Sequence, residues 1–379
     1  MTRVYIARCP DYDPTRVEAA LHASLEAFSD APTLIQAGQK VVLKVNLLQA
    51  QPPEKAVTTH PALVAAVARW VNSQGATPII ADSPGGLFNV RTLQHLYEAT
   101  GMADAARDSG AVLNYDVGTL QIPAPEGRAT QTLDAIRVAV EADAIICLPK
   151  LKTHGLTQMT GAIKNLFGTI PGLTKGAYHA RFPTVDRFSA MLIDNWLHYK
   201  PVLTIMDAVV GMEGDGPSGG DPRQIGLLLT STDGIALDVV AAALVGMPPA
   251  SVPPIAAAVR RGLTSGRVED VQILGAELDS LKVVGFKRPR TGAPHVRMIP
   301  DAVPKWITDQ LLANPRAGDK CTACGVCVQG CPVRAIEIVE GRADTNLKRC
   351  IRCFCCHELC PENAVELHPP PLARLLNRR

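Results

Sequence analysis

Two stretches near the end of the chain repeat one cysteine spacing: Cys321 to Pro332 reads CTACGVCVQGCP, and Cys350 to Pro361 reads CIRCFCCHELCP. In each stretch the four cysteines are separated by two, two and three residues, and a proline directly follows the fourth. Such short gaps let three successive thiolates wrap a metal–sulfur cube from one tight loop. The duplicated spacing therefore decides the fold of the C-terminal part of the chain.

This spacing is that of bacterial ferredoxins that bind two 4Fe-4S clusters, in which the fourth cysteine of each run ligates the cluster of the other run. We therefore predict two 4Fe-4S clusters as cofactors, held by two crossed sets of ligands. One set comprises Cys321, Cys324, Cys327 and Cys360, and the other comprises Cys350, Cys353, Cys356 and Cys331.

Two other uses of these cysteines fit less well. A zinc ribbon needs four ligands per metal and leaves the third cysteine of each run unexplained. Disulfides are rare in the cytosol, and the chain shows no secretory signal at its start. Cys355, which the regular spacing omits, has two interpretations: a small buried apolar residue, which we favour, or an alternative ligand while a cluster is rebuilt.

Composition restricts the class of protein. The 379 residues have room for one large domain and the small module, and 47% hydrophobic with 20% charged residues is ordinary for a packed soluble protein. With 4% aromatic residues and a net charge of +2, nothing favours nucleic acid as a partner. The longest apolar runs are too short to span a bilayer. We therefore expect a cytoplasmic protein without a membrane span.

Upstream of the cysteines, strand-like and helix-like segments alternate. Strand-like segments cover residues 40–45, 77–81, 142–148, 202–206 and 226–229, and helix-like segments cover residues 62–71, 185–196 and 235–245. Thr59, His60 and Pro61 are typical of the start of the first helix. This alternation predicts an α/β fold with a mostly parallel sheet and helices on both faces, joined to a small C-terminal α+β module.

We predict four regions along the chain. The α/β domain covers residues 1–300, a linker helix lies within 301–318, the two-cluster ferredoxin domain covers 319–367, and residues 368–379 form a tail.

Polar residues follow several of the predicted strands. Lys44 and Asn46 end the first, Asp82 and Ser83 end the second, and the stretch from Lys150 to His154 ends the third. Because ligands in such sheets bind outside the carboxyl ends of the strands, these residues predict one shared cleft. The chain has no P-loop lysine motif, so a standard nucleoside triphosphate site is not supported.

The α/β domain resembles the family named domain of unknown function 362, whose members are often fused to ferredoxin modules. The resemblance covers residues 1 to about 285, and the stretch from Lys150 to Gly168 is its most specific part. The other matching segments are Lys44 to Leu48, Thr59 to Pro61, Asp82 to Gly86, and Gly211 to Pro217. Val45 departs from the family, which usually has proline there. The resemblance implies no particular reaction.

The predicted cleft is rich in cationic and amide side chains that suit a carboxylate or phosphate. We predict substrate binding by Lys44, Asn46, His60, Ser83, Lys150, Lys164 and Asn165. We predict catalytic roles for His154, His179 and Lys152, with a histidine or a lysine supplying the proton; the alternative, more common for a lone histidine, is that these histidines are structural. Lys175 and Arg181 are expected to be ordinary solvated side chains.

Acidic residues in the same loops have two interpretations. Asp82, Asp207, Glu213 and Asp215 could hold a divalent metal. The interpretation we favour is that Asp82 caps a turn and that the glycine-rich loop at Glu213 closes over the cleft.

These features favour an iron–sulfur oxidoreductase. In this hypothesis an external electron donor or acceptor protein exchanges electrons with an anionic small-molecule substrate through the two clusters. The main alternative is a non-catalytic electron carrier or cluster-handling protein whose large domain docks a partner. In a third hypothesis the clusters are structural, and the large domain performs ligand or metal-cofactor chemistry.

Overall fold

Strands and helices alternate along most of the chain in the computed structural model, which describes residues 2–28, 34–289 and 312–370. The strands are β1 (Thr2–Arg8), β2 (Lys40–Lys44), β3 (Thr77–Ala81), β4 (Val112–Leu113), β5 (Thr119–Pro123), β6 (Thr132–Ile136), β7 (Ala144–Cys147), β8 (Lys150–His154), β9 (Gln158–Met159), β10 (Leu203–Glu213), β11 (Asp221–Ser231), β12 (Val271–Gly275), β13 (Asn314–Ala317), β14 (Ile336–Val339), β15 (Arg342–Thr345) and β16 (Val365–His368).

The α-helices are α1 (Pro14–Glu26), α2 (Pro61–Ser73), α3 (Val90–Ala99), α4 (Met102–Ser109), α5 (Arg137–Val140), α6 (Gly161–Asn165), α7 (Thr174–Arg181), α8 (Val185–Tyr199), α9 (Gly234–Leu244), α10 (Pro253–Arg260), α11 (Leu278–Leu281), α12 (Val326–Gln329) and α13 (Cys355–Leu359). Among the described residues, none of these helices combines the length and the apolar character needed to cross a membrane.

One large sheet organises the α/β domain, with the strand order β12-β1-β11-β10-β7-β2-β3-β4 and with β8 and β9 attached beside β10. Strands β10, β7, β2, β3 and β4 run parallel to one another, whereas β11 is antiparallel to both β10 and β1. The predicted α/β fold with a mostly parallel sheet is therefore confirmed.

Helices cover both faces of the sheet. On one face, Leu43 and Ile146 pack in a cluster that includes Leu63 of α2 and residues of α1, α3 and α4. On the other face, Met206 packs with Leu237 of α9. Alternating strand residues thus serve two cores, as expected for strands buried on both sides.

Several predicted elements match the structure closely, and two strands are longer than predicted. The predicted strand at residues 77–81 is β3, and the helix predicted at 62–71 lies within α2, where His60 Nδ1 accepts a hydrogen bond from the Ala62 amide. Strands β10 and β11 extend well beyond the predicted segments because they pair with each other along most of their length. Asp207 lies within β10, where its buried carboxylate pairs with Lys150.

The C-terminal module is built from two hairpin-like strand pairs and two short helices. Strand β13 pairs with β16, and β14 pairs with β15, all antiparallel. Helix α12 carries Cys327 and helix α13 carries Cys356. The linker helix predicted near residues 303–313 falls almost entirely outside the described residues, as does most of the tail.

The two cysteine runs follow the same backbone path. In the first run Ala323 and Gly325 have positive φ angles of 54° and 77°. At the equivalent positions of the second run, Arg352 and Phe354 have φ angles of 54° and 64°. A left-handed conformation is unusual for a large side chain, so its repetition at matched positions indicates a backbone constrained by the space that it surrounds.

Candidate functional site

A cleft opens between the α/β domain and helix α13 of the C-terminal module. It encloses about 730 Å³, its solvent-filled mouth included. The α/β domain contributes the loops after β2 and β3, strand β8, and helices α6 and α7. Of the residues predicted from sequence, the cleft is lined by Asn46, Ser83, Lys152, His154, Lys164, Asn165 and His179.

Two lysines give the cleft a positive character. Lys152 is buried and donates from Nζ to the carbonyl of Val57 at 2.6 Å. The Nζ atom of Lys164 lies 4.7 Å from the ring centre of Phe167, and no acceptor or carboxylate pairs with it among the described residues. Burial lowers the pKa of Lys152 to about 7 and lowers that of Lys164 from its ordinary value.

His154 is held in one tautomer by its own loop. Its Nδ1 atom accepts hydrogen bonds from the amides of Leu156 and Thr157, at 3.0 and 3.3 Å. The neutral ring therefore carries its proton on Nε2, which lies 3.0 Å from Oε1 of Glu358. Burial lowers the pKa of His154 to about 4, so the ring is neutral at pH 7.

His179 is placed by aromatic packing. Its ring stacks on Phe188 with centroids 4.2 Å apart and meets Phe167 edge-on. Burial lowers its pKa to about 3. At neutral pH both cleft histidines are therefore uncharged, and the prediction of a protonated histidine as the acid has no support from their surroundings.

The amide side chains form a short chain of hydrogen bonds at the base of the cleft. Asn165 donates to the carbonyl of Lys44 at 3.0 Å, and Asn46 donates to Oδ1 of Asn165 at 3.2 Å. The Oδ1 atom of Asn46 is buried and has no hydrogen-bond partner among the described residues. An unsatisfied buried acceptor in a cavity wall is costly unless a ligand or water donates to it.

Lys175 lines the cleft too, and the expectation that it is a solvated surface residue is wrong. Its Nζ atom lies within 3.1 Å of the carbonyl oxygens of Ser83, Pro84 and Ile170 and of the Ser83 hydroxyl. Burial lowers its pKa to about 7. Lys175 has three N–H donors, and the four acceptors around it use all of them. Because three of these acceptors belong to Ser83 and Pro84, Lys175 holds the loop after β3 in place. Arg181 is exposed, as predicted.

Three predicted substrate-binding residues lie outside the lining of the cleft. Lys44 pairs with Asp82 at 2.7 Å, and Lys150 pairs with Asp207 at 2.8 Å; all four side chains are buried. His60 caps helix α2. From the sequence we expected these side chains at the cleft because they lie near strand ends. The two lysines instead pair with buried carboxylates and do not line the cleft.

The acidic residues of these loops have internal partners. Asp82 accepts from the amides of Leu47 and Ser83 in addition to pairing with Lys44. Glu213 lies 3.5 Å from Lys287. The loop after β10 does reach the cleft, since Pro217 lines it.

Helix α13 forms the remaining wall of the cleft. Its residues Cys355, Glu358 and Leu359 line the cavity. Gln49 donates to the backbone carbonyls of Glu358 and Cys360, which fastens the helix to the α/β domain. Burial alone would raise the pKa of Glu358, but nearby His154 and Lys164 hold it below its ordinary value. The sequence did not lead us to predict Glu358 as a cleft residue. Its position between Cys356 and Cys360 was the only feature of the sequence that set it apart.

Cysteines of the two runs come together in the C-terminal module. Cys321, Cys324, Cys327 and Cys360 line one cavity of about 340 Å³, its open mouth included. Burial raises the pKa of Cys356 above its ordinary value, and the nearby thiols of Cys353, Cys350, Cys327 and Cys331 raise it further, so cysteines of both predicted sets lie close to it. This arrangement fits an iron–sulfur cube, which takes its four thiolates from different directions.

Backbone amides also point at these sulfur atoms. The amides of Ala335 and Ala364 donate to Cys331 and Cys360 at 3.2 Å, and each lies four residues after its cysteine. Amide donors stabilise thiolates, which are the form that ligates iron.

Comparisons with known proteins agree with this division. Residues 41–243 match the family described as Domain of unknown function (DUF362), and residues 315–361 match the 4Fe-4S dicluster domain. A thylakoid-associated protein of Synechocystis sp. is 34% identical over 276 residues, which cover 70% of this chain and 81% of that protein.

Two solved structures share part of the architecture at low identity. The lactate racemase apoprotein from Thermoanaerobacterium thermosaccharolyticum is 14% identical with a TM-score of 0.40, over 62% of this chain and 55% of that one. A structural-genomics target from Thermotoga maritima is 12% identical with a TM-score of 0.35, over 60% of this chain and 57% of that one. The chain thus spans little more than half the length of either protein. From the family match and the Synechocystis relative, the chain is a member of the DUF362 family that carries a 4Fe-4S dicluster domain at its C-terminal end.

Proposed function

We propose that this iron–sulfur protein is an oxidoreductase that exchanges electrons with a small anionic molecule bound in the cleft. One observation carries the proposal: Lys164, which has no paired acceptor or carboxylate among the described residues, lines a cavity that helix α13 also lines, and α13 carries Cys356 and is directly followed by Cys360. A docking domain has no need of such an inward-facing cation beside its cofactor.

The lining of the cleft suggests how the substrate binds. Lys164 and the spare N–H groups of Lys152 offer charge-assisted hydrogen bonds to a carboxylate or phosphate, each worth about 1.5–3 kcal/mol. Asn46 offers an acceptor to a donor group of the ligand. Leu48 and Phe167 supply apolar surface for the rest of the molecule. A small anion with an apolar body fits this combination.

Within this proposal Lys152 is the proton donor. Its pKa near 7 lets it hold a proton at neutral pH and release it easily to a reduced substrate. His154, with its proton on Nε2, and His179, packed among aromatic rings, act as neutral groups that orient the substrate.

The proposed cofactors are two 4Fe-4S clusters in the crossed ligand sets. When bound, they supply single electrons at a potential that the protein sets within roughly −700 to +450 mV. The proposed partner is a one-electron carrier protein, and the proposed compartment is the cytoplasm, where thiols stay reduced.

Native mass spectrometry of protein purified without oxygen tests the proposal. We expect about eight iron atoms per chain, the content of two cubes, and a co-purifying organic anion that is lost in Lys164→Met. Eight irons with no bound compound, even after incubation with cell metabolites, would favour the electron carrier. A markedly lower iron count with zinc present would overturn the cluster assignment.

A further inference from the structure

The hydrogen bonds at the base of the cleft fix the direction in which the Asn46 amide points. The backbone carbonyl of Lys44 can only accept, so the group of Asn165 that meets it at 3.0 Å is the NH2 group. The same NH2 group lies 3.4 Å from Sγ of Cys147, so both of its N–H donors are used. Oδ1 of Asn165 therefore faces Asn46 and accepts a hydrogen bond from Nδ2 of Asn46 at 3.2 Å.

This chain of hydrogen bonds leaves Asn46 with one unpaired atom of known type. Nδ2 is turned towards Asn165, so Oδ1 is the atom that stays buried without a partner among the described residues, and Asn46 lines the cleft. An amide oxygen only accepts hydrogen bonds. Reversing the Asn46 amide would bring its oxygen against Oδ1 of Asn165, so the acceptor cannot exchange places with a donor.

The lysines of the same cavity need the opposite kind of partner. Nζ of Lys164 has no acceptor or carboxylate partner among the described residues, and Lys152 uses one N–H group on the carbonyl of Val57. These groups suit a carboxylate or a phosphate. Asn46, in contrast, needs an O–H or N–H group. An anion without such a group pairs with the lysines, but by excluding water from the cleft it leaves the Asn46 acceptor unpaired.

We propose that the cleft selects anions that also carry a hydrogen-bond donor, in the form of a hydroxyl or an amino group, and that Asn46 is the residue that selects them. The inference rests on the proposed function, because it takes the cleft to be an anion site. Sites that hydrogen-bond a polar group of the ligand discriminate against analogues that lack it, since a buried group of the protein is then left unpaired.

Isothermal titration of the full-length holoprotein with matched acids tests this selectivity. Butyrate is compared with 2- and 3-hydroxybutyrate and with 2- and 3-aminobutyrate, each of which adds one donor group to it. In the wild type, at least one substituted acid should bind about 10- to 100-fold more tightly than butyrate. Whether that acid carries a hydroxyl or an amino group identifies the donor.

Two variants separate the acceptor from the rest of the cleft. Asn46→Leu replaces the amide with an apolar side chain of similar size, so the substituted acid and butyrate should bind with nearly equal affinity. Leu48→Ala is the matched control, because it removes apolar surface from the lining of the same cleft. It should weaken all the acids by a similar factor and leave their affinity ratio at the wild-type value.

Three results would contradict the proposal, and they do so at different points. Equal affinity of the wild type for butyrate and for every substituted acid would refute the selectivity and leave the anion site intact. A preference that persists in Asn46→Leu would mean that another group accepts the donor. If none of the acids binds, butyrate included, the anion site and the proposed function fail together. The wild-type comparison needs no substitution, so it holds even if Asn46→Leu does not fold.

Discussion

Glu358 of the C-terminal module lies with Oε1 only 3.0 Å from Nε2 of His154 in the α/β domain. The histidine is neutral and carries its proton on the nitrogen that faces the carboxylate. Neither part of the chain forms this arrangement alone, because one group belongs to β8 and the other to α13. The cleft is therefore a composite site, and its chemistry depends on how the module is seated.

Removing the charge of Lys164 should weaken anion binding. Lys164→Met keeps the length of the side chain, and the loss of one charge-assisted hydrogen bond should reduce affinity about 10- to 100-fold. Isothermal titration of the holoprotein with a panel of monocarboxylates and inorganic phosphate measures this change. Arg181→Met is the control, since Arg181 is an exposed cation at the end of α7 and outside the cleft lining. Equal effects of the two variants would mean that only general surface charge attracts the anion.

Anion binding should weaken as the pH rises through 7. The bound anion stabilises the ammonium form of Lys152, whose pKa is lowered to about 7 by burial, so binding above that pH requires proton uptake. The affinity should fall up to about tenfold per pH unit above 7. The charged groups that act on Lys152 are Glu358, Lys164, Lys150 and Asp82.

The same titration repeated between pH 6 and 9 with Lys152→Met provides the comparison. The variant should bind more weakly at pH 6 and show a flatter profile. A wild-type affinity that does not change across this range would contradict the role of Lys152.

Removing one charge of the buried pair of Lys150 and Asp207 should destabilise the protein strongly. Asp207→Asn leaves the ammonium group of Lys150 buried without a counter-charge, which should lower the free energy of unfolding by about 3–5 kcal/mol. Anaerobic urea denaturation followed by tryptophan fluorescence measures the loss. The double variant Asp207→Asn with Lys150→Met should recover part of it; a double variant as unstable as the sum of the two single ones would exclude coupling.

Gly168 should tolerate no side chain. A Cβ atom there would overlap Oδ1 of Asp82 and lie 2.5 Å from Nζ of Lys44, so Gly168→Ala must disturb their buried ion pair. We expect a loss of about 1–3 kcal/mol in thermal or urea unfolding. Gly86→Ala is the matched control, because no atom lies within 4 Å of the added methyl group. Similar stability of both variants would refute the steric argument.

Sequence predicted the elements whose pattern is local. The run of β-branched residues at β3 and the proline at the start of α2 fix those elements without help from distant parts of the chain. The cysteine spacing predicted a cavity shared by Cys360 and three cysteines of the other run, because the spacing itself encodes the geometry.

Sequence could not predict which lysines face the cleft. Lys150 and Lys152 lie two residues apart on β8, yet one pairs with Asp207 and the other reaches Val57 beside the cleft. The pairing of β8 with β10 is irregular here, since Lys150 is opposite Asp207 whereas Lys152 is opposite Met212. Such a bulge depends on tertiary contacts, so no periodic pattern in the chain reveals it.

Helix α13 carries Cys356 and is directly followed by Cys360, and the predicted ligand sets assign these two cysteines to different clusters; between them, Glu358 and Leu359 line the cleft. Under these proposed ligand sets the segment from Cys356 to Cys360 is tied to a cluster at each end, and ligation constrains its conformation. We therefore expect a newly synthesised chain to lack a finished substrate cavity until iron and sulfide have been inserted. The proposed ligand sets therefore predict that cofactor assembly precedes substrate binding.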